Sequence, residues 1–157
     1  LVTAFLAAWV IGLFETTIEN MVALAVLMPV VASMGGIAGT QTLTIVIRGL
    51  SIGQVGSANS RSVVVREIII GFFNGCLWAF VVALISSFWF DNFGLGVIIA
   101  SAMVVNLVTA GFFGAMIPLT LDKFGIDPAL AGGVMVTTIT DVVGFFAFLS
   151  LASHYLI

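Results

Sequence analysis

The chain has 157 residues, of which 62% are hydrophobic and 7% are charged, and its formal net charge is −3. A soluble domain carries roughly 25% charged residues, so this composition excludes a soluble globular fold. It predicts an all-α integral membrane protein, because the length allows about five or six helical spans of roughly 20 residues. The four Lys and Arg residues are scattered along the chain, so we expect no nucleic-acid partner.

Five apolar segments are predicted to cross the membrane as helices. We place them at residues 1–14, 21–50, 67–90, 93–121 and 129–157. The first segment is apolar from its start and lacks a basic region, so we interpret it as a truncated span and not as a signal peptide. Residues 51–66 are rich in Gly, Ser, Asn and Arg and are predicted to form a loop. Asp127 followed by Pro128 predicts the start of the last helix, with a capping side chain and then Pro at the first position.

The basic residues predict the orientation of the chain. They all lie in or beside the connections that precede the third and fifth segments, and they are Arg48, Arg61, Arg66 and Lys123. The other two connections hold only acids, so the positive-inside rule places the basic connections in the cytoplasm. We therefore expect a multi-pass protein of the plasma (inner) membrane, surrounded by lipid. Its truncated N-terminus would be cytoplasmic and its C-terminus outside.

Asp141 is the main candidate for a functional residue, because no other charged residue follows Asp127. A carboxylate at bilayer depth costs several kcal/mol unless it faces protein, water or a cation. Gly133, Thr137 and Gly144 share its helical face by their spacing in the sequence. Such a face is typical of a hydrated pore wall, although small residues also mark places where membrane helices pack closely.

The second apolar segment carries a similar face, formed by Gly36, Thr40 and Thr44. On a neighbouring face, Pro29 lacks a backbone N–H and therefore frees the carbonyl of Ala25. In a membrane this carbonyl needs a partner, which a cavity water or a hydrated ion could supply. A site where two helices cross is the alternative interpretation of the glycines in this segment.

Three further polar positions have structural interpretations. Asn74 and Asn106 lie in the third and fourth segments, where we expect each to form an interhelical hydrogen bond. Arg66 and Glu67 are predicted to form an ion pair at the cytoplasmic surface of the membrane.

The chemistry around Asp141 favours a divalent cation as its ligand. Carboxylate, hydroxyl and carbonyl oxygens prefer hard cations such as Mg²⁺, Ca²⁺ and Mn²⁺. One carboxylate per chain does not neutralise a divalent ion, whereas a two-fold homodimer with the pore on its axis would supply two copies of Asp141. Mg²⁺ gives up water reluctantly, so two carboxylates among small polar groups would suit a largely hydrated ion.

Two stretches of the chain resemble a known family. The run from Met28 to Leu43, with its Gly-Gly-Ile-Ala-Gly-Thr-Gln block and the Arg48-Gly-Leu behind it, resembles the second transmembrane helix of MgtE-type magnesium transporters. Thr140-Asp141-Val-Val-Gly144 resembles their fifth. The resemblance implies a five-helix transmembrane pore domain that forms a homodimeric Mg²⁺ channel or transporter. In this family the pore lies at the subunit interface and is lined by the second and fifth helices.

The resemblance also implies roles for single residues. Asp141 matches the family's ion-binding aspartate, and the positions that line the pore match Ala25, Gly36, Thr40, Thr44, Gly133, Thr137 and Gly144. Full-length relatives usually carry N-terminal cytoplasmic regulatory domains, which we expect to be absent from this sequence. Many relatives have Asn where this chain has Ile37, and some have Asn at the positions of Thr40 and Gly133. Mn²⁺ and Ca²⁺ therefore stay open as transported ions beside Mg²⁺.

Two other functional classes compete with a channel. A proton- or ion-coupled secondary carrier could use Asp141 as its protonatable group, but the sequence shows no inverted repeat. An intramembrane enzyme would need a second acid at similar depth or a base near a nucleophile. The single His154 lies next to the C-terminus, so we expect no enzyme.

Overall fold

Helices account for nearly the whole chain. The computed structural model describes residues 1–156, which form α1 (Val2–Gly12), α2 (Glu15–Asn20), α3 (Ala23–Ser51), α4 (Ser60–Phe90), α5 (Phe93–Lys123) and α6 (Pro128–Tyr155). Within this part of the chain, α3 to α6 are the helices long and apolar enough to cross a membrane. At 1.5 Å per residue each reaches about 42–47 Å, which exceeds the hydrocarbon core of about 30 Å. The 11 residues of α1 reach about 16 Å.

Two boundaries differ most from the sequence prediction, and both involve polar residues, whereas the other helix ends agree within two residues. The helix expected to begin near Glu67 begins at Ser60, so the second half of the predicted loop is helical. The true loop is closed by the Asn59 side chain, which accepts from Gly56 N at 2.9 Å and donates to Gln54 O at 2.8 Å. The polar patch predicted to end the first span forms α2. Hydropathy detects the apolar part of a helix but not the polar, solvated turns that extend it beyond the membrane.

The start of α6 follows the sequence prediction. Asp127 is the N-cap residue, its carboxylate accepts from Ala129 N at 2.9 Å, and Pro128 occupies the first turn. Asn92 caps α5 in the same way by accepting from Leu95 N at 3.0 Å. Asp91 adopts a left-handed conformation with φ of 47°, which makes the turn between α4 and α5 tight.

The central helix is α5, which packs against α4, α3 and α6, whereas α3 and α4 make few contacts with each other. A Cβ added at Gly71 of α4 would lie 2.5 Å from the carbonyl oxygen of Leu107, so the backbones of α4 and α5 nearly touch. Gly114 of α5 lies just as closely against Thr42 of α3. Small residues permit this close approach, and van der Waals contact then holds the helices together without a hydrophobic driving force.

The packing directions follow from these contacts. Residues further along α4 contact residues earlier in α5, so the two helices form an antiparallel hairpin. Contacts of α3 with α5 rise together from Gly35–Asn106 to Thr42–Gly114, so α3 and α5 run parallel. α6 runs antiparallel to both, and α1 packs on α6. All four basic residues therefore lie toward one end of the bundle, where α3 and α5 end and α4 and α6 begin.

The apolar core lies between α3, α5 and α6 toward the other end. It includes Leu24 and Val31 of α3, Ile99 of α5 and Phe148 of α6, which are all fully buried. Many large apolar side chains on α4 are exposed instead, among them Phe73, Phe80 and Phe88. A lipid environment suits this surface.

Candidate functional site

Asp141 lies near the middle of α6, about 20 Å along the helix from its start at 1.5 Å per residue. Its side chain is half-buried. Within residues 1–156, no donor lies at hydrogen-bonding distance from its carboxylate, and the one ion pair joins Arg66 to Glu67. A carboxylate at this depth needs a partner, so the structure leaves Asp141 available for water or a cation.

Packing of α6 against α3 brings the two predicted polar faces together. A Cβ added at Gly36 would lie 3.7 Å from Cγ2 of Thr137, and Gly39 lies against Val136 and Thr140. The antiparallel register then places Thr40 at the level of Gly133. The two faces therefore lie side by side, and we call them together the α3–α6 face: Ala25, Gly36, Thr40, Thr44, Gly133, Thr137 and Asp141.

The α3–α6 face is open in the single chain. Ala25 and Thr44 are exposed, and the other members are partly exposed. Among the described residues, no heavy atom lies within 4 Å of a Cβ added at Gly133, so there is free space in front of it. A depression of about 420 Å³ borders the face on α3, where it is lined by Thr40, Gln41, Thr44 and Ile45.

Gly144 is the predicted pore-lining residue that does not lie on this face. It is buried, and an added Cβ would meet Nδ2 of Asn106 at 2.6 Å and Cγ1 of Val31 at 3.1 Å. Its place is therefore inside the bundle, where it lets α6 pack against α5 and α3. Sequence spacing put Gly144 on the face of Asp141, but three residues along a helix turn the side chain by about 300°, so the two directions diverge by roughly 60°.

Ser33 is a residue of this surface that the sequence analysis did not select. It is exposed on α3, and the α3–α6 register places it near the level of Asp141. The signal was present in the sequence, because Ser33, Gly36, Thr40 and Thr44 follow one another at helical spacing.

The threonine hydroxyls of the face present acceptors to the solvent. Thr40 Oγ1 donates to Gly36 O at 2.8 Å, Thr44 Oγ1 donates to Thr40 O at 2.8 Å, and Thr137 Oγ1 donates to Gly133 O at 2.9 Å. Because each proton is used within its own helix, the oxygen lone pairs stay free to accept. A hydrated cation points the hydrogens of its water shell outward, so an acceptor-rich surface matches it.

Pro29 adds one more acceptor. It lies inside α3 and has no N–H, so the carbonyl of Ala25 has no donor one turn later in the helix. Ala25 and Pro29 are both exposed on the surface of the bundle. This carbonyl is therefore available to water at the end of the face remote from the basic residues.

Asn106 holds the helices together behind the face. It is fully buried, and its Nδ2 donates to Val31 O at 2.8 Å, which confirms the predicted interhelical hydrogen bond. Gly35 and Gly144 lie directly against its amide group. Asn74, the other predicted case, is exposed, and no hydrogen bond of its side chain occurs in the described part of the chain.

The predicted ion pair of Arg66 and Glu67 is present at 3.1 Å, but it differs from a simple surface pair. The Glu67 side chain is only 4% exposed, and its other oxygen accepts from Thr42 Oγ1 at 3.5 Å. Glu67 therefore connects α4 to the rear of α3.

The described residues contain no group of three or more His, Cys, Asp or Glu side chains that could hold a metal ion. One carboxylate with neutral oxygens is a weak ligand set for a bare divalent cation. A single chain can thus contact an ion through its water shell, while tight coordination would need further charge.

The helix lengths and composition define a multi-pass membrane protein, and the partnerless carboxylate on an open polar face suits ion movement. The family model "MgtE: Divalent cation transporter" matches residues 28–151. The chain therefore belongs to the MgtE family, which confirms the resemblance drawn from the α3 and α6 segments. The members of this family are cation transporters and not enzymes, which confirms the expected class of protein at the level of the family.

Three curated relatives carry the name magnesium transporter MgtE. The protein of Bacillus subtilis is 33% identical over 147 residues, which is 94% of this chain and 33% of the relative. The protein of Enterococcus faecalis is 28% identical over 95% of this chain and 33% of the relative. The protein of Thermus thermophilus is 30% identical over 97% of this chain and 34% of the relative. The chain thus spans about a third of the length of these relatives.

Proposed function

We propose that this chain forms the ion pathway of a divalent-cation transporter whose main cargo is Mg²⁺. The observation that carries the proposal is Asp141, a half-buried carboxylate without a protein partner on an open, acceptor-rich face. The names of the three relatives support Mg²⁺ as the ion. Mn²⁺ and Ca²⁺ have similar ligand preferences and are the competitors to test.

The pathway is proposed to lie between two copies of the chain. One copy offers a single carboxylate on an uncovered surface, whereas two copies related by a two-fold axis would place two Asp141 side chains around one channel. The α3–α6 face would then become the pore wall of a homodimer. Gly36 and Gly133 would leave room for the water shell of the ion.

The ion is proposed to pass with most of its water bound. Mg²⁺ releases water reluctantly, and the face offers acceptors for water hydrogens instead of a closed ring of ligands. Thr40, Thr44, Thr137 and Ser33 would hold the outer water, while the Asp141 pair would supply the charge. Gly144 would act by packing and not by lining the pore.

The proposed membrane position follows from the charges. The end that carries Arg48, Arg61, Arg66 and Lys123 would face the cytoplasm of the plasma membrane. The C-terminus would then be outside, and α1 would run outward from the cytoplasmic side as part of a fifth span, of which its 11 residues cover about 16 Å.

Flux into liposomes tests the proposal. The protein is reconstituted with a Mg²⁺-sensitive dye inside, and Asp141→Asn is compared with Asp91→Asn, a control that removes an exposed carboxylate from the α4–α5 turn. Asn tolerates the left-handed conformation of residue 91. We expect Asp141→Asn to lower Mg²⁺ flux at least about tenfold, because hydrogen bonds to a charged group contribute about 1.5–3 kcal/mol each.

Three results would contradict parts of the proposal. Unchanged flux in Asp141→Asn would remove the carboxylate from the pathway. A protein that is monomeric in detergent and still moves Mg²⁺ after reconstitution would contradict the homodimer. Uptake that requires an imposed proton gradient, and loses that requirement in Asp141→Asn, would indicate a coupled carrier that uses Asp141 as its protonatable group.

A further inference from the structure

A second cavity, with both polar and apolar walls, lies at the basic end of the bundle, where α4 begins and α5 ends. Its volume is about 680 Å³, and it is bounded by the α3–α4 loop. Its lining comes from α3, the α3–α4 loop, α4 and α5 and shares no residue with the α3–α6 face, so the two are separate. Nothing in the proposed ion pathway uses it.

The cavity carries positive charge that the protein does not neutralise. Arg61 and Lys123 line it and are both exposed. The single ion pair found in residues 1–156 lies elsewhere, so no carboxylate is within 4.0 Å of either cation. Asp122 also lines the cavity, which leaves one net positive charge from two bases and one acid.

Hydroxyl groups and a helix end surround the two cations. Ser57, Ser60 and Thr120 belong to the lining. Thr120 Oγ1 donates to Met116 O at 2.8 Å, and Ser60 Oγ reaches Ser57 O at 3.3 Å, a long bond that a stronger acceptor could replace. The Asn59 side chain does not cap the first turn of α4, so the free N–H groups of that turn add partial positive charge, while the last turn of α5 adds partial negative charge.

The other walls of the cavity are apolar. Val64 and Val65 of α4 and Met116 and Leu119 of α5 line it on the side toward the middle of the bundle. Val65 is 48% exposed and Met116 is 44% exposed, so their side chains face the surroundings and not the core. A ligand that fits must therefore be amphipathic, with an anionic head beside Arg61 and Lys123 and an apolar part along α4 and α5.

We propose that this cavity binds the headgroup of an acidic phospholipid from the adjacent leaflet. Its phosphate would bind Arg61 and Lys123, and one acyl chain would lie on Val65 and Met116. Basic pockets between transmembrane helices at the cytoplasmic side suit such lipids, because anionic headgroups concentrate in that leaflet. A free phosphate ion would leave the apolar wall without a function.

The position of the cavity gives the bound lipid a structural effect. Leu50 at the end of α3 belongs to the lining, together with Gly56 of the loop. The loop also packs on α3 at Gly49, where an added Cβ would lie 2.5 Å from Val55. The lipid would therefore bridge the loop, α4, α5 and the last turn of α3.

Lipid-dependent stability of the delipidated protein tests this proposal. The midpoint of thermal unfolding is measured in detergent while phosphatidylglycerol or phosphatidylcholine is added, because a ligand that binds the folded state raises this midpoint. The double variant Arg61→Gln with Lys123→Gln is compared with Arg48→Gln, which removes a base at the same end but outside the cavity. Helical circular dichroism and gel filtration establish that each variant is folded.

We expect phosphatidylglycerol to raise the midpoint and phosphatidylcholine to have little effect. The double variant should need roughly 30-fold more phosphatidylglycerol for the same rise, about fivefold for each base near the membrane surface. Arg48→Gln should respond as the wild type does.

Three outcomes would overturn the proposal. Equal stabilisation by both lipids would show that the headgroup charge has no role. An unchanged phosphatidylglycerol response in the double variant would place the lipid elsewhere. Equal protection by inorganic phosphate would assign the cavity to a free anion. None of these readouts involves ion flux, so a failure here is separate from a failure of the Asp141 proposal.

Discussion

Gly144→Ala offers a sharp test of the packing behind Asp141. The added methyl group would lie 2.6 Å from Nδ2 of Asn106 and 3.1 Å from Cγ1 of Val31, and the hydrogen bond to Val31 O holds the amide in place. Overpacking of this kind typically costs about 1–3 kcal/mol in the free energy of unfolding. We expect Gly144→Ala to be destabilising within that range.

The double variant of Gly144→Ala and Asn106→Ala tests whether contact with the Asn106 side chain causes the loss of stability. Asn106→Ala alone should cost about 1–2 kcal/mol, because it removes a buried interhelical hydrogen bond and leaves space. In the double variant the new methyl group occupies part of that space. Its cost should therefore be smaller than the sum of the two single costs by at least about 1 kcal/mol.

The assay is unfolding in mixed micelles with increasing dodecyl sulfate, followed by circular dichroism at one protein concentration. Gly133→Ala is the matched control, since the same substitution in the same helix meets no heavy atom within 4 Å. It should be neutral or slightly stabilising, because Ala favours a helix over Gly by up to about 1 kcal/mol. Strictly additive costs for Gly144→Ala and Asn106→Ala would refute the contact. Unchanged stability with altered ion flux would instead place Gly144 in the pore wall.

Two further predictions use single substitutions. Ser33→Ala should lower Mg²⁺ flux about two- to tenfold without changing stability, since one exposed hydroxyl is lost; Ser101→Ala on α5 is its control, and equal flux in the two variants would remove Ser33 from the pathway. Asp127→Ala should lower the free energy of unfolding by about 1 kcal/mol, because the cap on Ala129 N is lost. Asp127→Asn should retain most of that stability, and an equal loss in both variants would argue against the cap.

The sequence was sufficient for the broad architecture. Long apolar runs are a strong signal, since a bilayer demands about 20 apolar residues per span, and α3 to α6 were all found from them. The start of α4 was missed because Ser60, Arg61, Ser62 and Arg66 surround a short apolar run, and the hydropathy signal ends with the hydrocarbon. Local chemistry was enough where neighbours in the chain decide the structure, as with Asp127 and Pro128 at the start of α6.

The candidate site, too, could be predicted from the sequence only in part. Asp141 could be selected from the sequence, because a lone charge in an apolar run stands out and its cost at bilayer depth does not depend on the fold. The resemblance to the MgtE family could also be seen in the sequence, since it rests on short runs around Pro29 and Asp141.

Tertiary structure alone decided which side of each helix meets which neighbour. Helical periodicity assigns residues to a face, but the register between helices depends on side chains distant in the sequence. That register turned Gly144 inward onto Asn106, placed Ser33 near the level of Asp141, and buried Glu67 against Thr42. It also left Arg61 and Lys123 around one cavity, although 62 positions separate them in the chain. The sequence by itself determined a helical membrane protein of the MgtE family with one exceptional carboxylate, and packing decided what surrounds it.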